Sequence, residues 1–189
     1  QRRGLVLHDS NAVHNKPLDM NPRQTRIALK TEAGQKGRLL EEKRVASLKY
    51  SAAEDGWHET RIRVRYKDTD QLGVVYYGNY LTFFEVGRAE FMRDLGFPYS
   101  KLEAEGYILV VIEAGAKYHD NAGYDALLTI KTMITDLSSV RMRFDYRVTA
   151  EDGRLLVSGH TVHACVNARK KPTRIPAELR KFIEENLGL

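Results

Sequence analysis

Two aspartates at the end of an alternating strand offer the clearest chemistry in this 189-residue sequence. They are Asp68 and Asp70, and a short loop with Gly73 and Gly78 separates them from a long apolar segment that starts at Asn79. The Asp70 carboxylate could attack a carbonyl carbon or take a proton from water. Hydrolysis of an ester or thioester needs such a group. Asp-x-Asp at a strand end is also common turn chemistry, so the spacing alone leaves both interpretations open.

The loop and the first helical turn supply the other parts that such a reaction needs. Backbone N–H groups around Tyr77, Gly78 and Asn79 are free to stabilise negative charge on a carbonyl oxygen, because the first amides of a helix lack internal acceptors. Gly73 and Gly78 allow tight turns or a close approach of the backbone. Aromatic side chains nearby are expected to line an apolar slot for an acyl group, and they are Tyr76, Tyr77, Tyr80, Phe83 and Phe84.

The long apolar segment reads as one helix. Asn79 is its predicted N-cap and Leu95 its last residue, since Gly96 suits a left-handed position and Pro98 prevents continuation. Its apolar residues cover more than the face of an ordinary surface helix, which indicates that a sheet or a partner subunit wraps it. Arg88 falls within this apolar face, either with its charged end at the rim or in a buried pair with a carboxylate.

Strand patterns surround this helix and predict the fold class. Before it, Ile62, Val64 and Tyr66 alternate with arginines, which is typical of a half-buried strand. After it come four strand-like segments and a closing helix, over residues 107–116, 127–137, 140–148, 155–166 and 176–187. One strand, a long helix and four strands joined by short turns predict an α+β domain with an antiparallel sheet packed on the helix.

Charge divides the chain into two parts. Residues 1–56 hold 11 Lys and Arg against 7 Asp and Glu, a net charge of +4, whereas residues 57–189 hold 19 against 18, a net charge of +1. We predict a basic N-terminal extension over 1–56, largely disordered or weakly helical around 38–54, and a folded domain over 57–189. A nearly neutral domain does not favour a nucleic-acid partner.

Other features narrow the class of protein. No stretch approaches the roughly 18 uninterrupted apolar residues of a membrane helix. Cys165 is the single cysteine, which excludes an internal disulfide, favours a reducing cytoplasmic compartment and is predicted to be a buried structural thiol. The histidines show no spacing typical of metal ligands, and His160 and His163 should lie on opposite faces of one strand. We expect neither a metal nor a cofactor.

The stretch RVRYKDTDQLGVVYYGNY, from Arg63 to Tyr80, resembles the signature of the hot-dog-fold thioesterases. The resemblance is to the group with 4-hydroxybenzoyl-CoA thioesterase and the YbgC-type acyl-CoA thioesterases. Their pattern, Asp-x-Asp-x-x-Gly-[Val/Ile]-Val-[Tyr/Trp]-x-x-x-Tyr, is matched at every fixed position, and similarity extends over about residues 58–187. It implies a five-stranded antiparallel sheet wrapped around a long central helix, and active sites at the interfaces of a homodimer or homotetramer.

The resemblance also implies site residues. Asp70 would attack the thioester carbonyl of acyl-CoA or activate water, and the backbone N–H of Tyr77 would polarise the carbonyl oxygen. Many YbgC-type members carry His where this chain has Tyr77, which removes one acid–base partner. Asp68 would be structural. The expected substrate-binding residues are Gly73, Val75, Tyr76, Gly78, Asn79 and Tyr80, with Arg169, Lys170 and Lys171, beside Arg174, as a basic cluster for the CoA phosphates.

Two alternatives remain open beside an acyl-CoA thioesterase. The same aspartate could act on a thioester carried by acyl carrier protein, because only the docking surface would differ. A non-catalytic module that binds acyl-CoA in the same groove is the other alternative, and the acyl group itself is not defined by the sequence.

Overall fold

One long helix lies in the curve of a five-stranded antiparallel sheet. The computed structural model describes residues 56–187 and residue 189. The long helix and the five-stranded antiparallel sheet confirm the predicted α+β hot-dog architecture. Apart from Gly56, the predicted extension over residues 1–56, including its weak helix at 38–54, lies outside the described residues.

The elements follow the order expected from the sequence. The strands run in the spatial order β1-β3-β4-β5-β2, and every neighbouring pair is antiparallel. A short 3-10 turn, Tyr66–Asp68, connects β1 to the loop before the central helix. The strands are β1 (His58–Arg63), β2 (Tyr107–Tyr118), β3 (Leu127–Leu137), β4 (Arg141–Ala150) and β5 (Leu155–Asn167), and the helices are α1 (Asn79–Asp94), α2 (Tyr99–Ala104) and α3 (Ala177–Leu187).

Helix α1 lies close to the sheet because glycines lie at two of the contacts between them, one on the helix and one on a strand. A Cβ atom on Gly87 of α1 would lie 2.6 Å from Cγ2 of Ile130 in β3. A Cβ atom on Gly159 of β5 would lie 2.5 Å from the ring of Phe84, and that ring stacks on Tyr146 of β4 with centroids 4.4 Å apart. Truncating a fully buried phenylalanine at such a contact costs about 3–5 kcal/mol. These contacts fix the position of the middle of α1 over the sheet.

The sequence predicted one end of α1 correctly and the other incorrectly. Gly96 has a φ of +83°, so the predicted left-handed stop is confirmed. The predicted N-cap at Asn79 is wrong, because Gly78 is the N-cap and Asn79 is the first helical residue. The Asn79 side chain instead donates from Nδ2 to the carbonyl oxygen of Asp68, at 2.9 Å. Asn79 therefore ties the helix start to the aspartate loop.

The first strand is shorter than its alternating pattern suggests. Val64 is buried, but Tyr66 is 81% exposed, so the prediction that Tyr66 continues the buried face is wrong. The chain leaves the sheet after Arg63 and turns, because the amide of Arg65 donates to Oδ2 of Asp68 at 2.9 Å. A local polar contact thus ends the alternation.

Several further expectations concern buried or absent features. Cys165 is fully buried, as predicted, and burial raises the pKa of its thiol. His160 and His163 lie on opposite faces of β5, since His163 is buried and His160 contacts Glu113 at the surface.

Within residues 56–187, no helix is long and apolar enough to cross a membrane. Among the described side chains, no group of three or more His, Cys, Asp or Glu is arranged to hold a metal ion.

Candidate active site

The loop that leads into α1 folds back on itself as a small hairpin. The amide of Tyr76 donates to the carbonyl of Asp68, and the amide of Asp70 donates to the carbonyl of Val74, both at 2.9 Å. The turn is closed by a 3.0 Å bond from the amide of Gly73 to the carbonyl of Asp70, and Gly73 has a φ of +76°. The hairpin therefore holds Asp70 directly beside the segment that enters α1.

A second set of contacts fixes this hairpin to the body of the fold. Val75 is 4% exposed, and its amide donates to the carbonyl of Ala122 at 2.8 Å. Val74 bridges to Gly123 in the same connection after β2. Val75, predicted as a substrate-binding residue, thus anchors the loop from within the core.

The two aspartates have different surroundings. Both carboxylate oxygens of Asp68 contact the guanidinium of Arg65, and its side chain is only 7% exposed. Although burial raises the pKa of Asp68, the hydrogen bonds from Arg65 outweigh that effect and hold the pKa below its ordinary value. Asp70 is half-buried, and its Oδ1 accepts a bond from the amide of Leu72 at 2.8 Å. Its Oδ2 has no hydrogen-bond partner among the described residues.

Free amides lie at the start of α1. The amide of Asn79 donates to the carbonyl of Tyr76 at 2.9 Å, so the predicted oxyanion role does not extend to Asn79. Within the described part of the chain, the amides of Tyr77 and Gly78 donate to no acceptor. Two adjacent N–H groups at a helix N-terminus, where the helix dipole is positive, form a site suited to an oxyanion.

Tyr118, which was not among the predicted site residues, supports this helix start. It is the last residue of β2, and its hydroxyl donates to the carbonyl of Tyr77 at 3.1 Å. Its ring also packs edge-on against the rings of Tyr77 and Tyr80, with centroids 6.2 and 5.9 Å away. The end of β2 therefore helps to hold the turn that carries the free amides.

The predicted aromatic slot is only partly present. Phe83, Phe84 and Tyr80 lie in the core with exposures of 2% or less, so they do not line an open surface. Burial raises the pKa of the Tyr80 hydroxyl to about 12. Of the residues predicted to line the slot, Tyr76 and Tyr77 have exposed rings, and their centroids lie 4.5 Å apart. Tyr118 lies beside Tyr77.

The basic cluster of Arg169, Lys170 and Lys171 lies elsewhere in the chain. It follows Asn167, which pairs with Tyr107 at the beginning of β2. The Tyr118 contact is at the other end of that strand, and 11 residues of strand span about 36 Å. Within one chain, the cluster and the start of α1 are therefore at opposite ends of β2.

A polar network crosses the core between α1 and the sheet. Arg88 donates from Nε to the hydroxyl of Tyr99 at 2.8 Å and from Nη1 to the hydroxyl of Tyr146 at 3.2 Å. The Tyr146 hydroxyl bonds Thr161 at 2.8 Å, and Thr161 bonds Nε2 of His163 at 2.9 Å. Arg88 is 8% exposed, so the expectation of a charged end at the rim is wrong, and its hydrogen-bond partners among the described residues are tyrosines rather than a carboxylate. Burial, then the charge of Arg88, lowers the pKa of His163 to about 4.

Comparison with known proteins agrees with this architecture. The family model described as a thioesterase-like superfamily matches residues 64–183. The acyl-CoA thioester hydrolase YbgC of Escherichia coli is 34% identical over 119 residues, which are 62% of this chain and 89% of that protein. The acyl-CoA thioesterase YbgC of Haemophilus influenzae is 36% identical over 122 residues, 63% of this chain and 88% of that protein.

Solved structures give the same result. The DHNA-CoA thioesterase from Staphylococcus aureus superposes with a TM-score of 0.67 at 31% sequence identity, covering 70% of this chain and 92% of that one. The matched family model spans more than half of the 189 residues and includes the aspartate loop, α1 and all of the sheet except β1. The chain belongs to the thioesterase-like superfamily, as its sequence motif predicted.

Proposed function

We propose that this chain hydrolyses the thioester of an acyl-CoA, with Asp70 as nucleophile or general base and the amides of Tyr77 and Gly78 as the oxyanion hole. One observation carries the proposal. Oδ2 of Asp70 and the amides of Tyr77 and Gly78 all lack hydrogen-bond partners among the described residues, and all lie on the same hairpin and helix start. The names of relatives from two bacteria support the substrate class.

The reaction needs charge stabilisation at one oxygen. When a nucleophile adds to the thioester carbon, the carbonyl oxygen becomes negative, and the amides of Tyr77 and Gly78 can each donate to it. Collapse of the tetrahedral species breaks the C–S bond and releases CoA as a thiolate. Loss of one such donor typically costs 10²–10³ in kcat, or about 3–4 kcal/mol.

Asp70 can start this reaction by either of two routes. As a nucleophile, its free Oδ2 adds to the carbonyl carbon and leaves an acyl–aspartyl anhydride, which water then hydrolyses. As a general base, it removes a proton from the water that attacks. Tyr77, in place of the histidine found in many YbgC-type members, supplies no imidazole, so both routes depend on the Asp70 carboxylate.

The proposal includes an oligomer built on the edge of β2. This strand pairs only with β5, so its other edge is open among the described strands, and Val110, Val111 and Ile112 there are 36%, 53% and 53% exposed. An open edge with apolar side chains favours pairing with a second copy. A two-fold axis near the middle of β2 would make a dimer with a continuous sheet.

Such a dimer would also give the basic cluster a role. Antiparallel pairing of two β2 edges would bring the Tyr107 end of one strand to the Tyr118 end of the other. The cluster of Arg169, Lys170 and Lys171 from a second copy would then approach the start of α1. There it could bind the CoA phosphates, which it cannot do from its own chain.

A mixed-dimer experiment tests this composite site. The Asp70→Asn variant and a variant with Arg169, Lys170 and Lys171 changed to Gln are assayed alone, and then after unfolding and refolding together. Each mixed dimer has one intact site out of two. Equal mixing makes half of the dimers mixed, so about a quarter of the wild-type kcat/KM should be restored. No recovery in verified mixed dimers would contradict the shared site while leaving the Asp70 chemistry in place.

The reaction class is tested by thiol release from the full chain. Short, medium, long and aromatic acyl-CoAs are compared with the same acyl groups on acyl carrier protein. We expect release from acyl-CoA with a preference for one chain class. Faster release from the carrier protein would favour the carrier-protein alternative, and saturable binding without any release would favour a binding module.

A further inference from the structure

A groove lies on the face of the sheet that is turned away from α1. It has a volume of about 630 Å³, and Trp57, Lys117, Arg147, Ser158 and His160 are among the residues that line it. A second groove of about 590 Å³ adjoins it and shares Arg147 and Ser158. Arg147 alternates along β4 with the buried side chains that face α1, so both grooves are on the opposite side of the sheet from the helix.

Strand pairing places cations at one level across these grooves. Lys131 of β3 pairs with Arg147 of β4, Arg147 pairs with Ser158 of β5, and Ser158 pairs with Lys117 of β2. Neighbouring strands are about 4.8 Å apart, so Arg147 lies about 5 Å from Lys131 and about 10 Å from Lys117 at the backbone. Long side chains at those separations can reach one anionic group between them.

The charges around Arg147 are not neutralised from within the grooves. Neither Arg147 nor Lys117 forms an ion pair among the described residues, whereas Lys131 binds Glu59 at 2.9 Å. Asp145 is the carboxylate that lines the groove, but it bonds Arg143 at 2.9 Å and accepts from Thr135. Its charge is therefore directed to its neighbours, and two cations remain available to a ligand.

The groove also has an aromatic ring and a hydroxyl, which could contact a ligand larger than a simple anion. The guanidinium of Arg147 lies 4.8 Å from the centre of the Trp57 ring, which fixes both groups in the lining. The hydroxyl of Ser158, already 2.9 Å from Nε2 of His119, can donate or accept beside them. Arginine suits phosphate oxygens through paired N–H groups, and an indole ring suits a planar base.

We propose that the outer face of the sheet carries a second binding site, specific for a nucleoside phosphate, in which Arg147 and Lys117 bind the phosphate and Trp57 contacts the base. The volume fits such a ligand, because pockets for small molecules span about 300–1,000 Å³. This site is separate from the aspartate loop, since the sheet lies between the outer face and α1. It does not depend on the thioesterase reaction.

Equilibrium dialysis of the full chain tests the site with adenosine 3′,5′-bisphosphate, ATP and inorganic phosphate. We expect micromolar binding of at least one nucleotide, and binding of the bisphosphate alone would identify the nucleotide part of CoA as the source. Because Trp57 is the only tryptophan, its fluorescence should change on saturation. Binding of inorganic phosphate with no tighter binding of either nucleotide would overturn the proposal.

Matched variants locate the ligand. Arg147→Gln and Lys117→Gln should each raise the dissociation constant at least tenfold. Arg141→Gln should leave it within twofold, because Arg141 lies on the same strand and face but six residues away, at about 20 Å. If affinity falls instead in the variant with Arg169, Lys170 and Lys171 changed to Gln, the nucleotide binds at the basic cluster and the outer-face site is wrong.

Discussion

Two polar regions of this molecule, the core network and the start of α1, differ in how their hydrogen bonds are used. In the core, Arg88 is bonded to two tyrosine hydroxyls, and the chain of bonds continues to His163. At the start of α1, two amides and one oxygen of Asp70 have no partner within the described residues. The bonds of the core network hold the layers together, while the groups without a partner at the start of α1 remain available to a substrate.

This difference leads to opposite consequences for substitutions. Changes at the start of α1 should reduce turnover and leave the free energy of unfolding nearly unchanged, because those groups make few internal contacts. Changes in the core network should alter stability and its pH dependence, because a buried polar group without a partner costs about 1–3 kcal/mol.

Among changes that leave Asp70 in place, the largest effect should come from removing one oxyanion donor. Gly78→Pro deletes an amide that binds no acceptor, and the φ of −65° at Gly78 is the value that proline imposes. We expect kcat to fall by about 10²–10³. The measurement is steady-state thiol release on the folded variant.

Gly78→Ala is the matched control for this change. Both variants place a Cβ atom 2.8 Å from the ring of Tyr76, so both require that flexible ring to shift. Only proline lacks the N–H. Equal losses of kcat in the two variants would mean that crowding by Tyr76, rather than the amide, causes the loss.

A smaller effect concerns the pH dependence of stability through His163. Its pKa of about 4 in the folded chain lies below the ordinary 6.5, so the unfolded chain binds the proton more tightly. Stability from this group is therefore complete above pH 6.5 and is lost as the pH falls towards 4, by about 3 kcal/mol at about 1.4 kcal/mol per pKa unit. Urea unfolding at several pH values measures the loss.

His163→Gln isolates this contribution. Glutamine does not titrate and can still bond Thr161, so the variant should show a flatter loss of stability between pH 6.5 and 4. The same slope in both proteins would assign the acid sensitivity to other groups.

The smallest effect is expected at Tyr118, which links the end of β2 to the start of α1. Tyr118→Phe keeps the ring contacts and removes the hydroxyl that donates to the carbonyl of Tyr77. We expect kcat to fall about fivefold, which corresponds to about 1 kcal/mol, the usual net value of one hydrogen bond. KM should stay within twofold, and an unchanged kcat would show that the bond does not position the amides.

Local signals in the sequence predicted the fold well. Gly96 and Pro98 marked the end of α1, and the strand-like segments located β2 to β5, because these features depend only on nearby residues. The aspartate motif located the loop for the same reason. Alternation predicted wrongly that Tyr66 continues the first strand, since the bond between Arg65 and Asp68 ends the strand early.

Contacts between distant residues could not be predicted in this way. The partners of Arg88 come from α2 and from β4, the latter 58 residues away, and Tyr118 reaches Tyr77 across 41 residues. Neither periodicity nor a motif specifies which hydroxyl meets which group. The separation of the basic cluster from the aspartate loop likewise follows from the register of β2 and β5.

The central claim is that the Asp70 carboxylate performs the chemistry, and kcat of Asp70→Asn on the preferred acyl-CoA tests it most directly. The Asn side chain can still accept from the amide of Leu72, so the hairpin and the unfolding midpoint should be retained. We predict that kcat falls by about 10²–10⁴, the usual contribution of such a group. A folded Asp70→Asn variant that hydrolyses the thioester at the wild-type rate would contradict the account.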